Sequence, residues 1–300
     1  MLILVISHSK IVIWLVLFFK VKHLKGEDIR TISFINSDLS IMNIKTQEQN
    51  TIHVIFTGSK LIGTYLEYLI IKGDMIGNNF TGSSLTACEF KSNTLKTLNF
   101  SSCVLNYVTF DGCNMKEILF HLAETDNLNL ISSTVENCDF NHLVKESNLG
   151  VWKSKLLSCS FLDNKFLTLN ATKETILEKC TFKGGTINSV IKNVTLIDSN
   201  FSDTELFLKI EQSKIKNCNF SNSSFNDTFI RKNIFEGVSF SKIIFFEVNI
   251  INNKYKNTTA EEITGEPGDD FGKDDKSVFF PEERLVVIKT KSKKNSSSSS

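Results

Sequence analysis

CEFKSNTLKTLNFSSCVLNYVTFDGCNMKEILF, Cys88 to Phe120, decides the fold. Large apolar residues fall at Phe90, Leu95, Phe100, Leu105, Phe110, Met115 and Phe120, a strict period of five. An amphipathic helix repeats near 3.6 residues and a half-buried strand at 2, so this stretch specifies neither. The same beat runs upstream through Met75, Phe80 and Leu85 and downstream through Leu130, Val135 and Phe140. It returns at Ile215, Phe220, Phe225, Ile230, Phe235, Phe240, Phe245 and Ile250, with an early trace at Phe34, Leu39 and Ile44.

A longer period joins the regular ends to the irregular middle. VENCDF, LLSCSF, LEKCTF, LIDSNF and IKNCNF end on Phe140, Phe161, Phe182, Phe201 and Phe220, in steps of 21, 21, 19 and 19 residues. Phe80, Phe100, Phe120 and Phe240 extend this series in multiples of twenty. Twenty is four fives, so the unit is a coil of four short sides, each with one large inward residue and one small inward residue two places earlier. The chain is therefore all-β, a parallel β-solenoid with about 20 residues per coil. Its core is Phe80, Phe90, Phe100, Phe110, Phe120, Phe140, Phe161, Phe182, Phe201, Phe220, Phe225, Phe235 and Phe240. The one-residue slips at Phe161 and Phe182 imply bulges or turn insertions. About eleven coils would make a rod ~50 Å long.

The small position accounts for all seven cysteines. Cys88, Cys103, Cys113, Cys138, Cys159, Cys180 and Cys218 each lie two places before a large apolar residue, and Ser83, Ser133, Ser199, Ser213 and Ser223 take the same place elsewhere. A free cysteine behaves as a small buried hydrophobe. Cys138, Cys159 and Cys180 should stack one coil apart, but stacked side chains point the same way, which suits a disulfide dihedral badly. Reduced thiols are expected, and the absence of any C-x-x-C pair speaks against zinc.

The chain has 300 residues, with 34 Lys+Arg against 33 Asp+Glu and a net charge of +1, so its composition carries no nucleic-acid footprint. Only two prolines occur, as suits a long hydrogen-bonded ladder. Three parts are expected: residues 1–25, 26–254 and 255–300. Leu2–Lys25 contains nine apolar residues from Ile11 to Phe19 followed by Lys20, Lys22 and Lys25. This run is too short to span a bilayer core, which needs roughly 20 residues, and is best matched to a signal or anchor. Against that, no Lys or Arg precedes Lys10 and no A-x-A site follows. The alternative is a cap on the solenoid end. Residues 255–300, acidic from Glu261 to Asp275 and closed by five serines, read as a mostly disordered tail in which Val278–Phe280 and Leu285–Ile288 can dock as strands.

Ser37-Asp38-Leu39, Cys138-Asp139-Phe140 and Cys218-Asn219-Phe220 carry the core of the pentapeptide-repeat pattern, a small residue, Asp or Asn, then Leu or Phe. From Asp28 to Lys254 the chain resembles that family, most closely over Phe80–Phe120 and Ile215–Ile250. Leu98 and Val108 depart from it at small positions, and the pattern is interrupted from Asn141 to Asp203. The resemblance implies a right-handed quadrilateral β-helix. A second resemblance, to pectin-lyase-like and autotransporter-passenger β-helices, rests on Phe161-Leu-Asp-Asn164 and Gly184-Gly-Thr-Ile187.

Catalytic motifs such as G-x-S-x-G, the phosphate-binding G-x-x-x-x-G-K-[ST] loop and H-E-x-x-H do not occur. His121 and His142, 21 residues apart, should share one face. The residues before the reference rings, Asp139, Ser160, Thr181, Asn200, Asn219 and Ser239, include one acid only, which disfavours a carbohydrate-cleaving site built on clustered carboxylates. Between Phe80 and Ile250, 17 Lys/Arg face 18 Asp/Glu, a poor imitation of a DNA duplex. Ten N-x-[ST] sequons, Asn99 and Asn219 among them, are available to carry glycans in a secretory pathway.

The expectation is a non-catalytic interaction scaffold, exported or membrane-tethered. It has no catalytic residue, cofactor or metal and no nucleic-acid partner. It binds a protein partner of unknown identity, touches any membrane through Leu2–Lys25, and has no oligomeric state legible in its sequence. The alternatives are a carbohydrate-active β-helix enzyme, which would gather carboxylates in one groove, and a cytosolic gyrase-type DNA mimic, which would show a strongly negative face.

Overall fold

The computed structural model describes residues 31–33, 38–40, 43–45, 53–56, 59–91, 93–262 and 264–267. Leu2–Lys25, assigned to a signal, anchor or cap, and the tail stretches Val278–Phe280 and Leu285–Ile288 lie outside them. Every strand pairing among the described residues is parallel, and each strand pairs with the equivalent strand about twenty residues away. Leu85 lies beside Leu105, Phe90 beside Phe110 and Leu95 beside Met115. The fourth side is a ladder of single bridges, Asn79–Asn99–Leu119–Asp139–Ser160–Thr181–Asn200–Asn219–Ser239. These four registers define a four-sided β-solenoid. Its longest side stacks thirteen strands, from Thr31–Ser33 to Thr264–Pro267. Twelve steps of ~4.8 Å make that side about 58 Å long.

Within a pentapeptide side, a three-residue strand points its middle residue inward and its flanks outward, as in Val104–Asn106 around Leu105. The chain then turns in the left-handed region. Ala87, Tyr107 and Asn127 turn the corner between the Leu85 and Phe90 sides at φ 50°, 54° and 56°. Left-handed backbone disfavours β-branched residues and suits Asn, Asp and Gly, which is why polar residues crowd the corners.

All thirteen core phenylalanines are buried, none more than 4% exposed, and all seven cysteines are buried and free. Phe80, Phe100, Phe120, Phe140, Phe161, Phe182, Phe201, Phe220 and Phe240 form one continuous ring stack. Successive centroids are 4.6–5.4 Å apart and successive rings are tilted by 3–16°. The stack passes undisturbed through the coils of 21 and 19 residues, so those length changes are absorbed elsewhere.

The shortening is taken at one corner and the lengthening at others. In four successive coils the corner between the Leu85 and Phe90 sides is absent, and Glu146–Trp152, Asn164–Thr172, Gly185–Lys192 and Glu205–Glu211 each run straight across both sides. Their inward residues alternate with period two: Leu167, Leu169, Ala171; Ile187, Ser189, Ile191; Leu206, Leu208, Ile210. A straight strand covers the distance with four residues where a corner uses five, which yields the 19-residue coils. The 21-residue coil ending at Phe182 spends its surplus in two places. One is a register shift between Asn164 and Leu167, and the other is a turn that uses both Lys173 and Glu174 in left-handed conformation. The interrupted stretch 141–203 is thus a three-cornered portion of the same solenoid. At Asp227 (φ 43°) and Glu247 (φ 53°) the fourth corner returns.

The two stretches shared with passenger β-helices stack on each other. Gly185 pairs with Asn164, and a Cβ at Gly185 (φ 78°) would sit 2.0 Å from the Asn164 carbonyl oxygen. The coil also continues past the boundary expected at residue 254. Lys254–Lys256 pairs with Ile234–Glu236, Tyr255 stacks on Phe235 at 5.1 Å, and Thr259–Glu261 and Thr264–Pro267 pair with the coil below. Ala260 and Gly265 occupy the next beats, so the large apolar signal fades one coil before the pairing does.

A matched pair of substitutions tests this packing. A methyl group added at Gly82 (φ 67°) would have nothing within 4 Å, whereas one added at Gly185 meets backbone. Both variants to alanine bear the left-handed penalty, so urea unfolding should show Gly185→Ala less stable than Gly82→Ala by about 1–3 kcal/mol. Equal stabilities would mean that Gly185 is not stacked on Asn164.

Candidate functional site

The residues singled out by period are structural, and hydrogen bonding explains their chemistry. At a solenoid corner the backbone leaves the strand ladder, so its polar groups need other partners. The small residue supplies them. Ser133 Oγ donates to the Phe110 carbonyl one coil below at 3.0 Å and accepts the Cys113 N–H at 3.0 Å. Ser154 repeats this with Leu130 and Ser133, and Asn233 with Ile210. Asn253 repeats it with Ile230 and Asn233. Ser223 and Thr204 do the same for Phe201 and Phe182 at another corner, each at 2.7 Å. Cys113 donates to the Phe90 carbonyl at 3.3 Å and Cys159 to that of Val135 at 3.5 Å. Size alone marked these positions. Their donor and acceptor roles went unseen because Leu98, Ile118 and Ala123 occupy equivalent places without them.

The Asp or Asn before each ring has its own task. Oδ1 of Asn79, Asn99, Asp139, Asn200 and Asn219 accepts the N–H of the second residue onward, at 2.8–3.0 Å. This Asx turn starts the next corner. Four of these residues head sequons, whereas Asn193, Asn222 and Asn257 are the exposed sequon asparagines among the described residues. His121 and His142 do meet, with ring centroids 5.3 Å apart and edge to face. Among the described residues no group of three or more His, Cys, Asp or Glu side chains is placed to hold a metal ion, and no helix is long and apolar enough to cross a membrane.

Surface carboxylates lie opposite cations one coil away. Glu136 meets Lys116 at 3.0 Å, Glu178 meets Lys155 at 2.9 Å, and Glu236 meets Lys256 at 3.4 Å. Glu211 lies between Lys192 and Arg231. The hydrogen bond from Lys256 holds Glu236 below the usual carboxylate range, and Ser40 does the same for Asp38. A general acid would need the opposite shift. Nor, among the described residues, is any side a run of acids. The side carrying Leu95 and Met115 is richer in lysine, with Lys96, Lys116, Lys155, Lys214, Lys216, Lys254 and Lys256 against Glu136, Glu178 and Glu236.

The straightened strands and the strands that follow them carry part of the exposed apolar surface. The straightened strands share one sheet with their successors Ser224–Arg231 and Ile244–Ile251, in which the corner has returned at Asp227 and Glu247. Its outward face carries Phe166 (57% exposed), Phe246 (60%), Ile244 (55%) and Val190 (38%), with Trp152, Phe207 and Phe229 half-buried among them. Arg231 lies 5.3 Å from the Phe229 ring centre and also bonds Glu211. Trp152 lies across Gly150, where any Cβ would be 2.8 Å from the indole.

No family model matches the chain and no curated protein does. Solved structures resemble it at low identity. HetL, a pentapeptide-repeat protein involved in heterocyst differentiation regulation from the cyanobacterium Nostoc, is 12% identical over 75% of this chain and 89% of its own, at a TM-score of 0.36. QnrB1, a plasmid-mediated fluoroquinolone resistance protein, is 18% identical over 64% and 85%, at 0.28. PfbA, a surface adhesin of Streptococcus pneumoniae, is 6% identical over 76% and 83%, at 0.39. The architecture of this chain, a pentapeptide-type β-solenoid, stands on its own registers and corners.

The buried thiols give a pH prediction. Burial away from water pushes Cys88, Cys103 and Cys218 up to about 12, from an ordinary value of 9.0. Cys138 rises for the same reason, and the thiols of Cys138 and Cys180 lower Cys159 between them. A thiol that holds its proton only when folded leaves stability unchanged below pH ~9 and lowers it as pH rises towards ~12. Cys103→Ser keeps a donor to the Phe80 carbonyl and removes one such titration. Between pH 9 and 10.5 the variant should lose about 2 kcal/mol less unfolding free energy than the parent. In the same preparations a thiol reagent should label no cysteine in native protein and all seven after denaturation.

Proposed function

We propose that this chain is a non-catalytic repeat scaffold that binds a protein partner through its straightened face, and that it works outside the cytosol or tethered at a membrane through Leu2–Lys25. The observation that carries the reading is one sheet face with Phe166 and Val190 on the straightened strands and Ile244 and Phe246 on a successor strand in solvent while the same strands bury their inward residues. Exposed apolar groups gathered on one face and interleaved with polar residues mark interaction surfaces, and a solenoid side is a rigid platform for them. Support for the non-catalytic part is the pairing of surface carboxylates with lysine and arginine, which lowers rather than raises Glu236. The same pairing argues against a carbohydrate-cleaving groove, and the lysine-rich side argues against a DNA mimic.

Phe166→Ser with Phe246→Ser tests the surface without touching the core. Crosslinking in the native source should capture a discrete partner with the parent chain and lose it with the double variant, whose melting temperature stays within about 3 °C of the parent. Undiminished capture would refute the surface. The intact mass of the native protein tests location, since loss of the first ~25 residues would mark a cleaved signal.

A further inference from the structure

The early coils hold a second, separate feature on the corner that is straightened from Glu146 to Glu211. Tyr68, Ala87 and Tyr107 occupy the same corner in three successive coils, all left-handed at φ 58°, 50° and 54°. Their N–H groups donate in register to the carbonyls of Thr86, Asn106 and Asp126 at 2.7–3.0 Å. Two tyrosines therefore stand two coil rises apart, ~9.6 Å, with only a methyl group between them. A hollow of about 250 Å³ there is lined by Tyr68, Leu69, Ala87, Glu89, Tyr107 and Thr109.

The chemistry of the walls selects the occupant. Tyrosines two coil rises apart leave room for one group between them, and a cation within ~6 Å of an aromatic face is attracted to it. The slot admits one planar group and no second ring layer. Its surroundings are acidic. Glu89 stands on the rim with Lys91 at 3.3 Å, Glu67 precedes Tyr68, and Asp111 and Asp126 lie on the adjoining strands. Planar, cationic and able to donate hydrogen bonds to a carboxylate describes a guanidinium group.

We propose that the slot between Tyr68 and Tyr107 binds a guanidinium group, the side chain of an arginine presented by a partner protein. The proposal is independent of the straightened face, which lies in other coils and whose variants leave this slot intact.

The test uses the full chain with tyrosine-ring-labelled NMR and three probes: acetyl-Gly-Arg-Gly-amide, its lysine counterpart and ethylguanidinium. The arginine peptide should shift the Tyr68 and Tyr107 signals saturably, with a dissociation constant of ~1–10 mM, leaving Tyr65 and Tyr255 in place. The lysine peptide should bind about ten-fold more weakly, because it cannot stack as a plane. Ala87→Tyr fills the slot with a residue that the coils on either side already accept there, and Tyr107→Ala removes one wall. Both should fold as the parent does and weaken binding at least ten-fold. Ethylguanidinium binding as tightly as the peptide would show that the guanidinium alone suffices, and tighter peptide binding that the flanking backbone contributes; either supports the slot. Equal binding of lysine and arginine peptides, equal binding by the Ala87→Tyr variant, or no saturable shift would overturn it.

Discussion

The hydrogen bond that runs along the solenoid axis, from the N–H of one coil to the carbonyl of the next, constrains everything else in this molecule. It fixes the spacing between coils, and a side chain repeated at one place in every coil must stack at that spacing. The nine-ring phenylalanine column follows directly, with centroids 4.6–5.4 Å apart. Offset-stacked rings are favourable over this range of separation, so the side chain best suited to the spacing recurs. Corners follow from the same bond. A chain that turns every five residues leaves backbone groups off the ladder, and Ser, Thr, Asn and Cys reach back one coil to satisfy them.

Much of this was legible in the sequence, because a period of five has few physical causes. Inward residues such as Phe90, Leu105 and Met115 were readable without any knowledge of the turns between them. The stretch 141–203 was not, and for a definite reason. Where the corner is straightened, inward residues follow the two-residue period of an ordinary strand, as in Leu206, Leu208 and Ile210. Two periods superposed in one coil hide each other. Phe161, Phe182 and Phe201 kept the coil visible because their side of the solenoid never changes. The end of the solenoid was misplaced for the converse reason. Thr259–Glu261 pairs through its backbone, and a pairing of that kind leaves no apolar trace when its beat falls on Ala260.

The candidate surfaces were the least legible part. An outward Phe166 or Phe246 looks like a core residue to any count of apolar groups, and only the position of the straight strands shows which way it faces. The slot at Ala87 is harder still, since it is defined by a missing side chain between Tyr68 and Tyr107. Both features sit on the one corner that varies along the rod. The fourth corner differs most from coil to coil: closed and tyrosine-lined in the early coils, straightened from Glu146 to Glu211, and closed again at Asp227 and Glu247. Surface variation is concentrated where the stacked core does not need uniformity.

Paired spin labels on the fourth side test the stacking most directly. Asn99 and Asn219 lie on one bridge ladder, six steps apart. Labels at these two positions should give a narrow distance distribution centred near ~29 Å, and moving the second label from Asn219 to Asn200 or Ser239 should shorten or lengthen it by ~4.8 Å. A broad distribution, or a distance that does not change by one coil rise per ladder step, would contradict the parallel stacked-coil architecture.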